Sequence, residues 1–472
     1  MGRAPLKDGP LKDEPLKGGP LNVRPRSAEP MGGEPVAIVG GGLAGIAAAL
    51  ALEEAGYRTT LYEARPRLGG ATHSFARDGL MVDNGQHVFL RCCTAYRGLL
   101  DRLGASRHVE LQERFDVRVL TPDGRSARLR RHALPGPFHL VPSLASYPLL
   151  RPADRLRALR GSLALRRLDP ADPALDRIDL ASWLSAHGQR DAAKNALWEL
   201  FAVAALNVRA EDAALGLAAM VFRTALLGRA DAADIGVPAV PLGQLHGEAA
   251  LSAITRQGGT VRLATKVTAI EPGPAVVVDG TRVEASAVIV ATPHQQAAAL
   301  TPLDAAPDRD RWSALSASPI VNVHVVYDRR VTDVPFAAVV GSPVQWVFDK
   351  TRAAGLRRGQ YLAVSVSAAD RWIDCPAAQA RAVFVPALER LFPEARHAQV
   401  VDFFVTRERR ATFRQGPGSG VLRPQAVTRW PGLFLAGAWT DTGWPDTMEA
   451  AVRSGLNAAR SARHHLERQA IR

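Results

Sequence analysis

Cysteine is scarce in this 472-residue chain: Cys92, Cys93 and Cys375 are all it has, with no C-x-x-C pair. That excludes a disulfide framework and fits a reducing compartment, and the adjacent Cys92 and Cys93 read as small buried hydrophobes rather than a redox centre. Long apolar runs are missing too. The longest uncharged stretch outside the first glycine-rich unit, residues 132–150, is broken by Pro135, Pro137, Pro142 and Pro148. A membrane-spanning helix needs about 20 mostly apolar residues without such breaks, so none is expected. The first 34 residues carry no apolar segment of the secretory type. There is no zinc-finger spacing, no metal-ligand cluster and no RNP-like aromatic motif, so neither a metal nor nucleic acid is expected despite a formal net charge of +13. That charge leaves an anionic membrane surface or acidic ligands as partners.

Length allows a large core and two domains, with ordinary globular composition. Residues 1–34 are low-complexity: proline recurs every fifth position from Pro5 to Pro35, and PLKDG, PLKDE and PLKGG are near-copies. Such a segment lacks the apolar mass to fold and is expected to be an extended tail.

The informative stretch is Val36 to Gly70, VAIVGGGLAGIAAALALEEAGYRTTLYEARPRLGG. Val36 to Val39 is an apolar run suited to a strand buried on both faces. It enters Gly40-Gly41-Gly42-Leu43-Ala44-Gly45, which satisfies G-x-G-x-x-G, and Ala44 to Ala55 reads as a helix closed by Gly56. A second strand, Arg58 to Tyr62, ends on Glu63, 18 positions after the last glycine. The spacing predicts a dinucleotide-binding βαβ unit. Gly40 allows the tight turn, Gly42 the approach of a pyrophosphate to the backbone, and Gly45 close packing of helix and strand. The helix N-terminus faces the phosphates, and Glu63 takes a ribose hydroxyl.

Ala64-Arg65-Pro66-Arg67-Leu68-Gly69-Gly70 follows directly. Its Arg-x-Gly-Gly resembles the second nucleotide segment of the flavoprotein amine oxidase and phytoene desaturase superfamily, where it lines the FAD pyrophosphate. The superfamily usually has another Arg after the glycines; here it is Ala71. Asp83-Asn84-Gly85-Gln86-His87 then resembles the hydroxysqualene dehydroxylases, also called squalene-associated FAD-dependent desaturases. Asn84-Gly85 is a turn signal that places Gln86 and His87 beside the flavin segment. The plain alternative is that Asp83 and Asn84 cap a turn and His87 is structural. A closing segment, Leu433 to Thr440 and then Thr447-Met448-Glu449, resembles the superfamily's flavin-ring strand and helix. Its Ala436-Gly437 is followed by Ala438 where the family often has Asp, and it holds no cysteine for covalent attachment of the flavin.

Between these segments, Arg114 to Arg131 alternates around Asp123-Gly124 and reads as a hairpin. A helix is expected from Pro152 to about Leu168, with Leu156, Leu159 and Leu163 on one stripe flanked by Arg155, Arg157, Arg160, Arg166 and Arg167. It suits an interfacial helix over acidic lipid, or equally a solvated basic surface. Leu180 to Leu227 reads as mostly helical core, and Val261 to Ile270 as a strand with Val267 in the pattern that meets an adenine ring in the superfamily. Ala287 to Ala291 is another buried strand, while Ile320–Tyr327, Val344–Phe348, Tyr361–Val366 and Val400–Val405 read as a mixed sheet. Arg410 to Phe413 again resembles the family. Gly416, Gly418 and Gly420 lack strand–helix context and read as a flexible loop.

The resemblance implies an α/β flavoprotein in two parts. A Rossmann-type FAD-binding domain is expected from residues 35–112, 245–300 and 425–472. An α+β substrate domain of mixed sheet and helices is expected from 113–244 and 301–424, with a membrane-contact helix near 138–168. It implies non-covalent FAD and reductive removal of the allylic hydroxyl of hydroxysqualene to give squalene, with His87, Asp83 or Asp441 assisting the leaving group. Implied FAD contacts are Gly40, Gly42, Leu43, Ala44, Gly45, Glu63, Ala64, Arg67, Gly69, Gly70, Asn84, Gly85, Gln86, His87, Val267, Gly437, Thr447, Met448 and Glu449. There is no second G-x-G-x-x-G unit, so the electron donor is unknown: a separate reductase, or NAD(P)H bound without a dedicated domain. A cytoplasmic location, peripheral on the inner face of the membrane, is expected. Alternatives left open are a carotenoid desaturase or isomerase, an amine oxidase, and a non-catalytic FAD-stabilised lipid-binding protein.

Overall fold

Residues 34–471 are described in the computed structural model. The proline-repeat tail expected at 1–34 lies outside the described residues, apart from Glu34. The first sheet is wholly parallel, in the order Thr260–Arg262, Thr59–Tyr62, Val36–Val39, Val288–Val290, Leu433–Leu435. Its strands come from three separated stretches of chain. We label Val36–Val39 β1, the helix Leu43–Glu54 α1, and Thr59–Tyr62 β2. β1 is central and buried throughout, which is why four consecutive apolar residues suit it.

The expected strand at Val261–Ile270 is two strands instead. Thr260–Arg262 forms the edge of the parallel sheet, the chain turns through Ala264 at φ +50°, and Val267–Glu271 begins a separate antiparallel meander with Ala275–Val278 and Thr281–Glu284.

A second sheet of seven strands runs in the order Val400–Phe413, Ala317–Tyr327, Gln360–Val366, Trp346–Asp349, Phe336–Val339, Asp116–Leu120, Ser126–Arg130. The hairpin expected around Asp123-Gly124 closes it, and only Phe336–Val339 against Asp116–Leu120 pairs in parallel. The strand expected at Val400–Val405 runs on to Phe413, because Ala317–Tyr327 stays paired with it along its whole length. The glycine loop expected to be flexible is anchored: Gly418 N donates to Asp176 O at 2.7 Å and Gly420 N to the Asp176 carboxylate at 3.1 Å.

Helices between residues 141 and 226 cover one face of the hairpin and share an apolar core with it that includes Phe115, Val119, Leu180, Trp198 and Phe222. The basic helix forms over Pro152–Arg166, but its leucine stripe does not face inward. Its buried face is Asp154, Ala158, Gly161 and Leu165. A Cβ on Gly161 would lie 2.8 Å from Gln189 Nε2 and 3.3 Å from the Trp198 ring, so small residues are what this close packing demands. Leu156 and Leu163 are left outside.

Two interior histidines couple this architecture to pH. His324, in the strand Ala317–Tyr327, is stacked on Phe404 and lies 2.6 Å from Tyr361 Oη and 2.9 Å from Thr406 Oγ1. His246 lies 2.7 Å from Tyr96 Oη. Burial lowers both to about 3, with nearby Arg77 and Lys350 adding to the effect at His324. Between the folded value and about 6.5 the unfolded chain binds the extra proton, so this contribution to stability is present at neutral pH and is lost on acidification. Near pH 5 the loss is about 2 kcal/mol per histidine. Glu53, raised to about 7 by burial, responds in the opposite sense, so a difference measurement is needed. His324→Gln is expected to destabilise at neutral pH, and its deficit relative to the parent should shrink by about 2 kcal/mol near pH 5 in denaturant unfolding. A deficit that stays constant with pH would contradict a neutral buried His324.

Candidate flavin site

The two glycine segments meet backbone to backbone. Gly69 N donates to Gly41 O at 2.9 Å, and a Cβ on Gly70 would lie 2.9 Å from Gly42 Cα. Gly40 has φ +112°, donates its N–H to Tyr62 O at 2.8 Å, and has no room for a Cβ against Ala291 O. Gly45 likewise has none against Gly40 O. Gly42 differs: a Cβ there would meet only Gly70 Cα, at 3.9 Å. Its open side is a cradle beside the N-terminus of α1, which carries no side-chain cap at Gly42. Leu43 and Ala44 open that helix, whose first N–H groups and dipole suit an anion. Glu63 Oε2 accepts from Gly41 N at 2.7 Å and Oε1 from Arg65 N at 2.8 Å, so the acid both closes the glycine turn and stands at the end of β2, with Ala64 next. Arg67 bends back to donate to Gly70 O at 3.1 Å. These residues fit a dinucleotide.

Asn84 is the junction between this unit and the seven-stranded sheet. Its side chain accepts from His73 N at 3.0 Å and donates to Ala71 O at 2.8 Å and Glu408 Oε1 at 2.9 Å. Its carbonyl accepts from Asn322 Nδ2 and Thr406 Oγ1, both at 3.2 Å. Next to it, a Cβ on Gly85 would lie 3.2 Å from His87 Nε2 and 3.7 Å from Asn322 Nδ2. Three polar atoms here are buried without a protein partner among the described residues: His73 Nδ1, Gln86 Nε2, a donor, and Asn322 Oδ1, an acceptor. Leaving such atoms unpaired costs about 1–3 kcal/mol each, a cost that a ligand's polar group can offset.

The three residues expected to assist the leaving group stand in different settings. Asp83 is buried and already engaged by Ser74 Oγ at 2.6 Å, Leu242 N at 2.9 Å and Lys350 Nζ at 3.0 Å. That set engages both of its carboxylate oxygens, and no hydrogen bond joins it to His87 among the described residues. Burial brings His87 down to about 4, with Asp83 opposing and Lys350 assisting, so its imidazole is uncharged at neutral pH. Asp441 is exposed and caps its own loop, accepting from Gln425 Nε2 at 2.9 Å and Gly443 N at 3.2 Å.

At the closing segment, Gly437 has φ +137° and donates to Ser454 Oγ at 2.8 Å. Thr447 caps the helix Met448–Ala470 by accepting from Ala450 N at 3.3 Å, and Met448 packs against the core around α1. Glu449 points elsewhere. Its carboxylate accepts from Ala95 N at 3.1 Å and Tyr96 N at 2.8 Å and pairs with Arg453 at 2.7 Å. Its carboxylate thus caps the neighbouring helix Thr94–Arg102. Val267 is buried in the meander strand that follows the Ala264 turn.

Sequence reasoning missed four residues. Lys350 and Asn322 reach the Asp83–His87 turn from the second sheet, more than 230 residues later in the chain. Arg423 is buried, and its Nη2 donates to the carbonyls of Ala438, Thr440 and Trp444, holding the loop before the flavin-type helix. Asp446, just ahead of Thr447, accepts from Phe413 N at 2.9 Å and is raised by burial to about 6. Its only signal was adjacency to Thr-Met-Glu.

The profile of the family described as flavin containing amine oxidoreductase matches residues 43–462. The hydroxysqualene dehydroxylase of Rhodopseudomonas palustris is 30% identical over 450 residues, covering 90% of this chain and 97% of that protein. This chain belongs to the hydroxysqualene dehydroxylases within the flavin-containing amine oxidoreductase family. It is a flavin-dependent oxidoreductase. A zeta-carotene desaturase of Synechocystis is 26% identical over 478 residues, covering 90% of this chain and 96% of the other. Among solved structures, a redesigned putrescine oxidase superposes with a TM-score of 0.71 at 22% identity, covering 91% of this chain and 99% of the oxidase. That likeness concerns the fold. The family match spans both the start of α1 beside the Gly42 cradle and the helix start at Thr447.

The Asp83–Lys350 pair is the test of this local picture. Lys350→Met would leave a buried carboxylate unpaired and is expected to cost about 3–5 kcal/mol in denaturant unfolding. Asp441→Asn should stay within about 0.5 kcal/mol and keep the flavin absorbance. Equal effects of the two substitutions would refute the assignment.

Proposed function

We propose that this chain removes the allylic hydroxyl of hydroxysqualene reductively, yielding squalene, with FAD bound non-covalently. The observation that carries the reading is similarity to a dehydroxylase over 90% of this chain, together with the unpartnered Gln86 Nε2 and Asn322 Oδ1 of the residues about the Gly85 turn. An alcohol is both acceptor and donor, so its oxygen can take the Gln86 N–H while its O–H is given to Asn322 Oδ1. A hydrocarbon polyene has no group for either atom.

The residues that would hold FAD are the amides of Gly42 to Gly45 and Gly70 at the pyrophosphate, Glu63 at the ribose, and the main chain of Thr447 to Glu449 at the pyrimidine edge. The absence of cysteine in 433–457 supports non-covalent binding. Reduced flavin supplies the hydride that replaces the hydroxyl. The chain's own residues orient the alcohol, exclude water, and bring a proton to the departing oxygen so that it leaves as water. We assign that proton to His87. Its lowered basicity makes the imidazolium a strong acid beside the hydroxyl. Reducing equivalents come from a separate donor. The substrate is lipid-soluble, and the outward leucines of the Pro152–Arg166 helix support peripheral membrane contact.

Anaerobic incubation of chemically reduced holoprotein with hydroxysqualene should give squalene by mass analysis. Unchanged alcohol there, together with desaturation of a phytoene-type polyene by the oxidised holoprotein supplied with a quinone as electron acceptor, would instead favour the desaturase reading, which the zeta-carotene desaturase match keeps in view. Asn322→Leu, with flavin retained, should lower turnover of the alcohol by roughly 10-fold or more, the loss of a buried hydrogen bond. The rate should rise with acidity toward about 4, the value of His87. A break near 6 would move the proton to Asp446.

A further inference from the structure

The Pro152–Arg166 helix ends beside a pocket of about 380 Å³ lined by Leu163, Arg166, Arg167, Arg223, Leu227 and Gly228. Three arginines and two leucines line this one small hollow. Arg223 is held in place by donating to Leu168 O. Arg166 and Arg167 are exposed and have no carboxylate partner among the described residues. The acidic groups on the same segment are committed elsewhere: Asp154 pairs with Arg157 at 2.9 Å, and Asp169 and Asp172 accept from the N–H groups of Ala171 and Ala174.

The surroundings are apolar and exposed. Leu156 is 49% and Leu163 38% accessible on the outer face of the helix, at a spacing of seven residues with Arg160 between them. The neighbouring loop carries Leu134 at 42% and Phe138 at 53%. That loop abuts the pocket wall, since Gly136 has no room for a Cβ against the carbonyl of Gly228. Large apolar side chains left in water beside unpaired guanidiniums match an interface where leucine and phenylalanine enter the acyl boundary and arginine meets phosphate.

We infer that this pocket binds the phosphate of an anionic phospholipid headgroup and seats the protein on the bilayer, with Leu134, Phe138, Leu156 and Leu163 inserted around it. The site is separate from the flavin segments, and the inference does not rest on the reaction assigned above. Guanidinium planes offer paired N–H groups to phosphate oxygens. The pocket therefore provides directed contacts that a diffuse positive surface does not.

The test is co-sedimentation of flavin-loaded full-length protein with vesicles of phosphatidylcholine alone and of phosphatidylcholine and phosphatidylglycerol in equal parts. The parent is expected to bind the anionic vesicles selectively. Arg166→Gln with Arg167→Gln should weaken this by roughly 30-fold, two charges removed at a bilayer surface. Arg357→Gln with Arg358→Gln removes the same charge from an exposed turn outside the patch and should change binding far less. Leu156→Ser with Leu163→Ser should weaken binding as well. Equal losses in the two arginine pairs would overturn the pocket in favour of diffuse attraction, and equal binding to both kinds of vesicle would overturn the headgroup assignment. Squalene formation measured in detergent should be unaffected by Arg166→Gln with Arg167→Gln. A protein that binds vesicles but never converts the alcohol would sink the reaction and leave the docking site standing.

Discussion

Close backbone approach, possible only where a Cβ is missing, is the constraint on which the rest of this molecule depends. Gly70 stands against Gly42, Gly45 against the carbonyl of Gly40, and Gly455 of the C-terminal helix against the carbonyl of Ala44. Each glycine belongs to a different part of the chain or of the turn, and together they draw β1, α1, the Arg67–Gly70 segment and the final helix into one unit. Any side chain at Gly45 or Gly455 would have to displace backbone, which cannot yield as a flexible side chain can. Gly42 is the exception that gives the arrangement its purpose. A Cβ there would meet only Gly70 Cα, at 3.9 Å, so room remains at the N-terminus of α1 that Gly40, Gly45 and Gly70 do not have.

At the Asn84 turn that unit reaches the second sheet through polar contacts, while an apolar cluster joins Val39 and Leu435 to Phe413 elsewhere. Asn84 joins Ala71 and His73 on one side to Asn322, Thr406 and Glu408 on the other, and Asp83 meets Lys350 in a buried ion pair. Buried amides and charges are costly unless satisfied, and their geometry tolerates little error. A junction made this way specifies one orientation of the two sheets. It also explains why the residues around Gly85 are held rigidly enough for two unpaired amide atoms to persist beside them.

Local features of the fold were legible in the sequence because they rest on short-range rules. The β1–α1–β2 unit follows from glycine spacing and apolar runs, and the hairpin around Asp123-Gly124 from alternation. Features that depend on distant partners were not. Nothing near Lys350 or Asn322 indicates that either would meet residues 83–87. Glu449 looked like part of a flavin segment, yet its carboxylate caps a helix about 350 residues earlier in the chain. The leucines of the Pro152–Arg166 helix were read correctly as a stripe, but periodicity alone cannot say which stripe faces in. The close packing of Gly161 on Trp198 decided that, and it turned Leu156 and Leu163 outward.

The same distinction separates what the family implies from what this site selects. This chain is similar along most of its length to both a dehydroxylase and a carotene desaturase, and a phosphate-binding cradle has no means of distinguishing an alcohol from a polyene. Discrimination has to come from groups that are stabilised by one substrate and left unpaired by the other. A pocket can reject a molecule lacking a hydrogen-bonding group far more strongly than one differing by a methylene, because the protein's own buried atoms then remain unsatisfied. Gln86 Nε2 and Asn322 Oδ1 are such atoms, one donor and one acceptor, next to the turn that links nucleotide unit and second sheet. On the proposed reaction, specificity for a hydroxyl sits at the junction itself, where the contact that orients the two halves is accompanied by a donor and an acceptor that a hydrocarbon would leave empty.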